Sequence, residues 1–240
     1  YGPSIKEFKK NIEEFNKFNL CYASLNKFNE LENNILPEGK NIDILTVTNP
    51  SDLNYRWEAY KQFLKSKNKN FLISSQYSFL GLNSKYGLME SIVKEFDEKL
   101  LFINSNLFVP SIATPLHFLP GNTLSVLLPV ICLAAPKRIF IFGADGGNSG
   151  FEKKDESSKE LYFFGGVTGQ SDCNDTKNEA NRRLINDAKF FDDITKFQMM
   201  AVSKLFGLSV PEVYNCCPHS SYESFTKITC EDALNILKEE

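Results

Sequence analysis

The side chains best suited to chemistry are few: Asp145, the acidic step Asp192-Asp193, and His219. Asp145 lies in Gly143-Ala144-Asp145-Gly146-Gly147, directly after an apolar run. A carboxylate there can bind a metal, a ribose or an acceptor hydroxyl. Gly143 and its neighbouring glycines permit close backbone approach or a positive φ. His219 stands in Pro218-His219-Ser220-Ser221, and only one other histidine, His117, exists. Imidazole is the side chain that titrates near neutral pH, so a general base would most easily be one of these two. Asp192 and Asp193 fall inside a long helical pattern. A carboxylate serving as base needs burial or a charged neighbour to raise its pKa. Each of these groups also has a plain structural use, in a tight turn, a satisfied loop or a solvated helix face.

A second set of residues suits phosphate and nucleotide recognition. Gly2-Pro3-Ser4 opens a helix, and free N–H groups at a helix N-terminus attract anions. Asn26 and Asn49-Pro50-Ser51 each follow an expected strand, where an amide can read a base edge or a sugar hydroxyl. Turn formation by Asn and Pro is the ordinary alternative. Gly121-Asn122-Thr123 opens an apolar helix and adds further N–H groups and a hydroxyl. No G-x-x-x-x-G-K-[ST], G-x-S-x-G or H-E-x-x-H is present. P-loop NTPases, elbow-type serine hydrolases and zincins are thereby set aside.

These residues need a scaffold that brings strand ends together. Phe8, Ile12, Phe15 and Phe18 recur at helical spacing over Lys6–Phe18, with Ser4 ahead as N-cap. Further helices are expected over Asn26–Leu36, Tyr55–Leu64, Tyr86–Phe96, Leu124–Ala135 and within Asn178–Phe206. Thr229 to Leu237 is a last helix, capped by Thr229 with Asp232 three residues on. Strands are expected at Leu20–Ala23, Ile42–Val47, Phe71–Ser74, Leu100–Ile103, Arg138–Phe142 and Glu212–Cys216. The apolar run 138–142 reads as buried on both faces, the pattern of a parallel sheet. Alternating strands and helices predict an α/β fold, a Rossmann-like doubly wound, mainly parallel sheet with helices on both faces. Ligands then bind beyond the carboxyl ends of the strands. Residues 148–177 are polar and aperiodic, as lids and binding loops often are. The expectation is one nucleotide-binding domain over 1–240, with its first strand preceding Tyr1.

Composition narrows the partners. The chain has 240 residues, 42% hydrophobic and 24% charged, which is ordinary for a globular protein. Its net charge of -3 lacks the basic footprint of a nucleic-acid binder. The six cysteines include no C-x-x-C pair, and Cys216-Cys217 are adjacent, which is poor disulfide geometry. Reduced thiols and a cytoplasmic location are expected, with attachment at the membrane periphery compatible. No zinc or other metal set is read from the spacing. Leu124–Ala135 is too short to span a bilayer, so no transmembrane segment is expected. The sequence does not define an oligomeric state.

Taken in order, Gly2-Pro3-Ser4, Leu25-Asn26-Lys27-Phe28, Asn49-Pro50-Ser51, Asn122-Thr123, the strand ending at Gly143-Ala144-Asp145, and Tyr214-Asn215-Cys216-Cys217-Pro218-His219-Ser220 form a series. In it the chain resembles the bacterial family-42 sialyltransferases and the related motility-accessory-factor and archaeal pterin pyrophosphokinase-like families. The resemblance spans most of the chain except about 53–118. It implies a transferase domain taking a CMP-activated sugar donor, with Gly2, Asn26, Asn49 and Thr123 against the nucleotide. Preorganised N–H and hydroxyl donors would stabilise the departing phosphate. The pattern also departs from those enzymes. Their general-base His has no counterpart in Phe190–Asp193, Pro120 stands where they carry Arg, and Tyr1 where they carry Asn. Tyr162 is the only tyrosine of the long loop.

The leading expectation is a glycosyltransferase moving sialic or another nonulosonic acid from a CMP donor to a glycan or protein acceptor, with Asp145 or the Asp192-Asp193 step as base. A second is ATP-dependent diphosphate transfer with Asp145 on Mg²⁺, which commonly takes one or two carboxylates plus substrate phosphates. A third is a non-catalytic, transferase-like binding domain.

Overall fold

A computed structural model describes residues 4–25, 35–48, 53, 56–66, 70–75, 89–103, 123–145, 191–192 and 194–239. The chain divides into two compact units, one of 1–18, 134–197 and 209–240, the other of 19–133 and 198–208. Each contains helices and a sheet whose strands all run parallel, which makes the architecture α/β.

The first unit holds α1 (Ile5–Phe15), β5 (Arg138–Ile141), β6 (Glu212–Asn215), β7 (Thr226–Lys227) and α6 (Cys230–Lys238). Its sheet has the order β5-β6-β7, with Arg138 opposite Glu212 and Tyr214 opposite Thr226. Helix α1 forms because Ile5, Phe8, Ile12 and Phe15 recur every three or four residues and bury one stripe. Phe8 and Phe15 pack on Phe142 with ring centroids 4.4 and 5.2 Å away. That contact seats α1 over the residue leaving β5, and α1 also packs against α6. Helix α6 opens with a capping box. The Thr229 side chain accepts from the Asp232 amide, and the Asp232 carboxylate accepts from the Thr229 amide.

The second unit holds β1 (Ala23–Leu25), β2 (Ile44–Val47), α2 (Trp57–Lys65), β3 (Phe71–Ser75), α3 (Met89–Phe96), β4 (Leu100–Ile103) and α4 (Thr123–Ile131). Its strands lie in sequence order, β1-β2-β3-β4. Leu45, Thr46 and Val47 are all buried, so β2 is covered on both faces, as a central parallel strand must be. Helix α2 buries Trp57, Tyr60, Phe63 and Leu64. Its last carbonyls are closed by Lys99, whose Nζ donates to Leu64 and Ser66, both at 2.7 Å, and by Asn70, which donates to Phe63 at 2.6 Å. Helix α4 packs against β2. A further helix, α5, runs over 194–205.

Several expectations shift. The first strand is Ala23–Leu25 rather than Leu20–Ala23, because Asp43 accepts the Tyr22 amide at 2.7 Å and the ladder begins only after it. Helix α4 ends at Ile131 and tightens to a 3-10 turn over Cys132–Ala134. In β5 only Ile141 is buried, so this strand is not covered on both faces along its length. Phe140 instead stacks on Tyr214 of the neighbouring strand, centroids 5.6 Å apart, and both stay partly exposed. The two-residue strand β7 lies in a stretch with no alternating pattern and was not expected. Most of Asn26–Leu36 lies outside the described residues; Ile35 and Leu36 are not helical. Among the described residues no helix is long and apolar enough to cross a membrane.

Candidate functional site

Parallel strands end on a common edge, so each unit gathers its strand-end residues in one place. In the first unit these are Phe142 to Asp145 after β5 and Cys216 to Ser221 after β6. Gly143 adopts φ 74°, a conformation that glycine takes without steric cost, and so turns the chain sharply out of β5.

Asp145 is 3% exposed, and both of its oxygens are engaged. Oδ2 accepts the Ser4 amide at 3.0 Å, and Oδ1 accepts the Cys217 thiol at 2.7 Å. The carboxylate thus places negative charge at the positive end of α1. Ser4 itself is helical, at φ -61° and ψ -18°, and its side chain makes no cap hydrogen bond. Ser4 thus stands at the N-cap position, as expected, but its hydroxyl does not cap; its own amide is taken by a carboxylate 141 positions away in sequence. Burial pushes the Cys217 thiol up to about 12, and the hydrogen bond and charge of Asp145 add to the rise. Burial dominates, so the thiol stays protonated and serves as a donor.

The loop after β6 is fastened at two places. On one side Ser220 Oγ donates to the Ala144 carbonyl at 2.6 Å, and the Ser221 amide donates to the Asp145 carbonyl at 3.0 Å. Asn215 Oδ1 accepts the Cys217 amide at 3.3 Å. On the other side Asp192 accepts the Glu223 amide at 2.7 Å, the Ser224 amide at 2.8 Å and the Ser224 hydroxyl at 2.6 Å. Phe191, beside it, meets Tyr222 and Phe225 edge-on. Asp192 is half-buried and holds a loop rather than lining a solvated helix face. His219, whose side chain is exposed, lies within the first fastening, between Cys217 and Ser220.

In the second unit the carboxyl edge brings Thr48, just after β2, against Thr123, the first residue of α4. Their Oγ1 atoms are 3.0 Å apart. Two hydroxyls at a helix N-terminus are donors suited to phosphate oxygens.

The expected site residues therefore divide. The structure brings Ser4, Gly143 and Asp145 to the edge that also carries His219, and places Thr123 on the edge of the other unit. Gly2, Pro3, Asn26, Asn49, Ser51, Asn122, Asp193 and His117 lie outside the described residues. Among the described residues no cluster of three or more His, Cys, Asp and Glu side chains could hold a metal ion. Cys217, Thr48 and Ser224 were not singled out from sequence. Position just past a strand end was the signal that could have found Cys217 and Thr48. No family model, curated protein or solved structure matches this chain.

Proposed function

We propose that the chain is a Rossmann-like, doubly wound transferase domain. In this reading it moves a sugar, sialic or another nonulosonic acid, from a CMP-activated donor to a hydroxyl acceptor. The observation that carries this is the Thr48–Thr123 hydroxyl pair at the head of α4, beside the carboxyl end of β2. Ligands of open parallel sheets bind beyond the carboxyl ends of the strands, and the pair offers neutral donors to a phosphate that gains charge as the sugar departs. Wholly parallel sheets together with helices in both units, the coarse α/β architecture, are compatible with this reading.

Diphosphate transfer would need Asp145 to hold Mg²⁺. Its two oxygens each accept one hydrogen bond, from Ser4 and Cys217, and a metal there would compete with the thiol and amide for them.

The test is a thermal-shift titration with CMP, CDP, UDP, GDP and ATP, each with and without Mg²⁺. A ligand that binds the native state alone raises apparent stability by mass action. Stabilisation by CMP without Mg²⁺ is expected. Stabilisation by ATP only with Mg²⁺ would replace this reading with diphosphate transfer. No shift with any nucleotide would leave a binding domain.

A further inference from the structure

A helix on the surface of a globular protein ordinarily turns charged and polar residues outward. Helix α5 departs from this. Its inner stripe buries Met199 and Val202, yet Phe197 and Met200 stand outside, 55% and 52% exposed. Among the described residues five large apolar side chains are exposed, and four of them, Phe197, Met200, Phe206 and Val210, fall between 197 and 210. Single exposed apolar residues are ordinary; a concentration of them marks a surface that meets something.

Lys196 and Lys204 are exposed on the same side of the helix. At 3.6 residues per turn, Lys196, Phe197, Met200 and Lys204 fall within an arc of about 100°. Lys196, Met200 and Lys204 stand in one row, about 6 Å apart along the axis. The face is apolar at its centre and cationic at both ends. Neither lysine has an ion-pair partner among the described residues. No Asp or Glu occurs from 194 to 211, although the chain carries 30 acids against 27 bases. The face is thus locally positive on an acidic chain and suits an anionic surface.

Its size decides what kind of surface. About half of Phe197 and of Met200 is exposed, roughly 100 Å² each. Each partner in a stable protein complex buries ~800 Å². A bilayer asks for no such area. Aromatic and long apolar side chains enter its headgroup–acyl boundary, while lysines reach anionic headgroups and add attraction. Lysines at both ends of the row favour a helix axis parallel to the bilayer plane. With twelve residues, 194–205, α5 is too short to cross the hydrocarbon.

We propose that the outer face of α5 docks the protein on an anionic lipid surface. Phe197 and Met200 enter the interface, and Lys196 and Lys204 lie on the headgroups. The proposal does not depend on the nucleotide reading above.

Co-sedimentation of the whole chain with vesicles tests it. One set is phosphatidylcholine alone, the other phosphatidylcholine mixed equally with phosphatidylglycerol. The protein is expected to sediment with the anionic vesicles, to remain in solution with the neutral ones, and to be released by raised salt. Lys196→Gln combined with Lys204→Gln weakens binding about 30-fold, the effect of two lysines near an anionic surface. Phe197→Gln combined with Met200→Gln abolishes it. All four side chains are exposed, so these variants keep the wild-type Tm, which thermal unfolding checks. Phe71→Gln removes an apolar side chain that is 45% exposed elsewhere and leaves vesicle binding unchanged. No binding to anionic vesicles, equal binding to both compositions, or an equal loss in Phe71→Gln overturns the proposal. Sedimentation velocity without lipid settles the remaining occupant. A wild-type dimer that Phe197→Gln with Met200→Gln dissociates would make the face a contact between two copies and overturn it as well.

Discussion

Replacing Asp145 separates a fastening residue from a catalytic one. A purely catalytic carboxylate can be changed to Asn with little effect on folding. The structure leads elsewhere. In Asp145→Ala the Ser4 amide, on a residue only 5% exposed, loses its acceptor. A buried donor left unpaired costs roughly 1–3 kcal/mol. Removing an anion from the N-terminus of α1 costs a further ~0.5–2 kcal/mol in a partly buried setting. The carboxylate no longer has to be desolvated, which offsets part of this. The net loss is about 3 kcal/mol, or a fall of ~6–12 °C in Tm for a chain of this length. Asp145→Asn keeps one oxygen for the Ser4 amide but loses the charge, and its NH₂ must face the Cys217 sulfur. It loses about 1–2 kcal/mol. Thermal unfolding and urea titration of the three proteins measure both values. If Asp145→Ala unfolds within about 2 °C of wild type, the hydrogen bonds to Ser4 and Cys217 merely repay the burial of the charge, and the fastening argument fails.

Three other perturbations test separate parts of the structure. Thr123→Val keeps shape but removes the hydroxyl facing Thr48, so the stabilisation by CMP should shrink while the ligand-free Tm stays close to wild type; an unchanged CMP shift would remove Thr123 from the nucleotide site. Thr229→Ala breaks the capping box of α6 and should lower stability by about 1 kcal/mol in urea unfolding. The buried thiols make the protein alkali-sensitive. Burial raises Cys132 and Cys230 to about 11 and Cys217 to about 12, against an ordinary value of 9.0. The folded chain thus holds these protons while the unfolded chain releases them, so their contribution is complete below pH 9.0 and fades as pH rises through 11 and 12. The urea midpoint should drop between about pH 8 and about pH 10.5, and a flat profile would contradict it.

What could be read from sequence was whatever depends on near neighbours. The period of Phe8, Ile12 and Phe15 gave α1, and the Thr229–Asp232 spacing gave the capping box, because both devices act within a turn or two of helix. The β-branched and apolar runs at 42–47, 71–74 and 100–103 marked the strands found at Ile44–Val47, Phe71–Ser75 and Leu100–Ile103 for the same reason. The misread boundaries have long-range causes. Ser4 holds the N-cap position that its place before a helical period predicts, but its amide goes to Asp145, because α1 is drawn onto Phe142 and so within reach of the carboxylate. Nothing local to Ser4 encodes that. Strand β7 is two residues long and exists only because β6 offers it an edge.

The same distinction governs the site. Asp145 and Asp192 attract notice as acids in suggestive places, yet each is satisfied by donors far away in sequence, 72 positions for Cys217 and 32 for Ser224. Both carboxylates are therefore part of what holds the loop after β6. The imidazole of His219 is under no such constraint. It is exposed and carried on the loop after β6 that Asp145 and Asp192 hold. The hydrogen bonds of Asp145 and Asp192 tie both acids to the loop that carries His219, and nothing local to either acid encodes that.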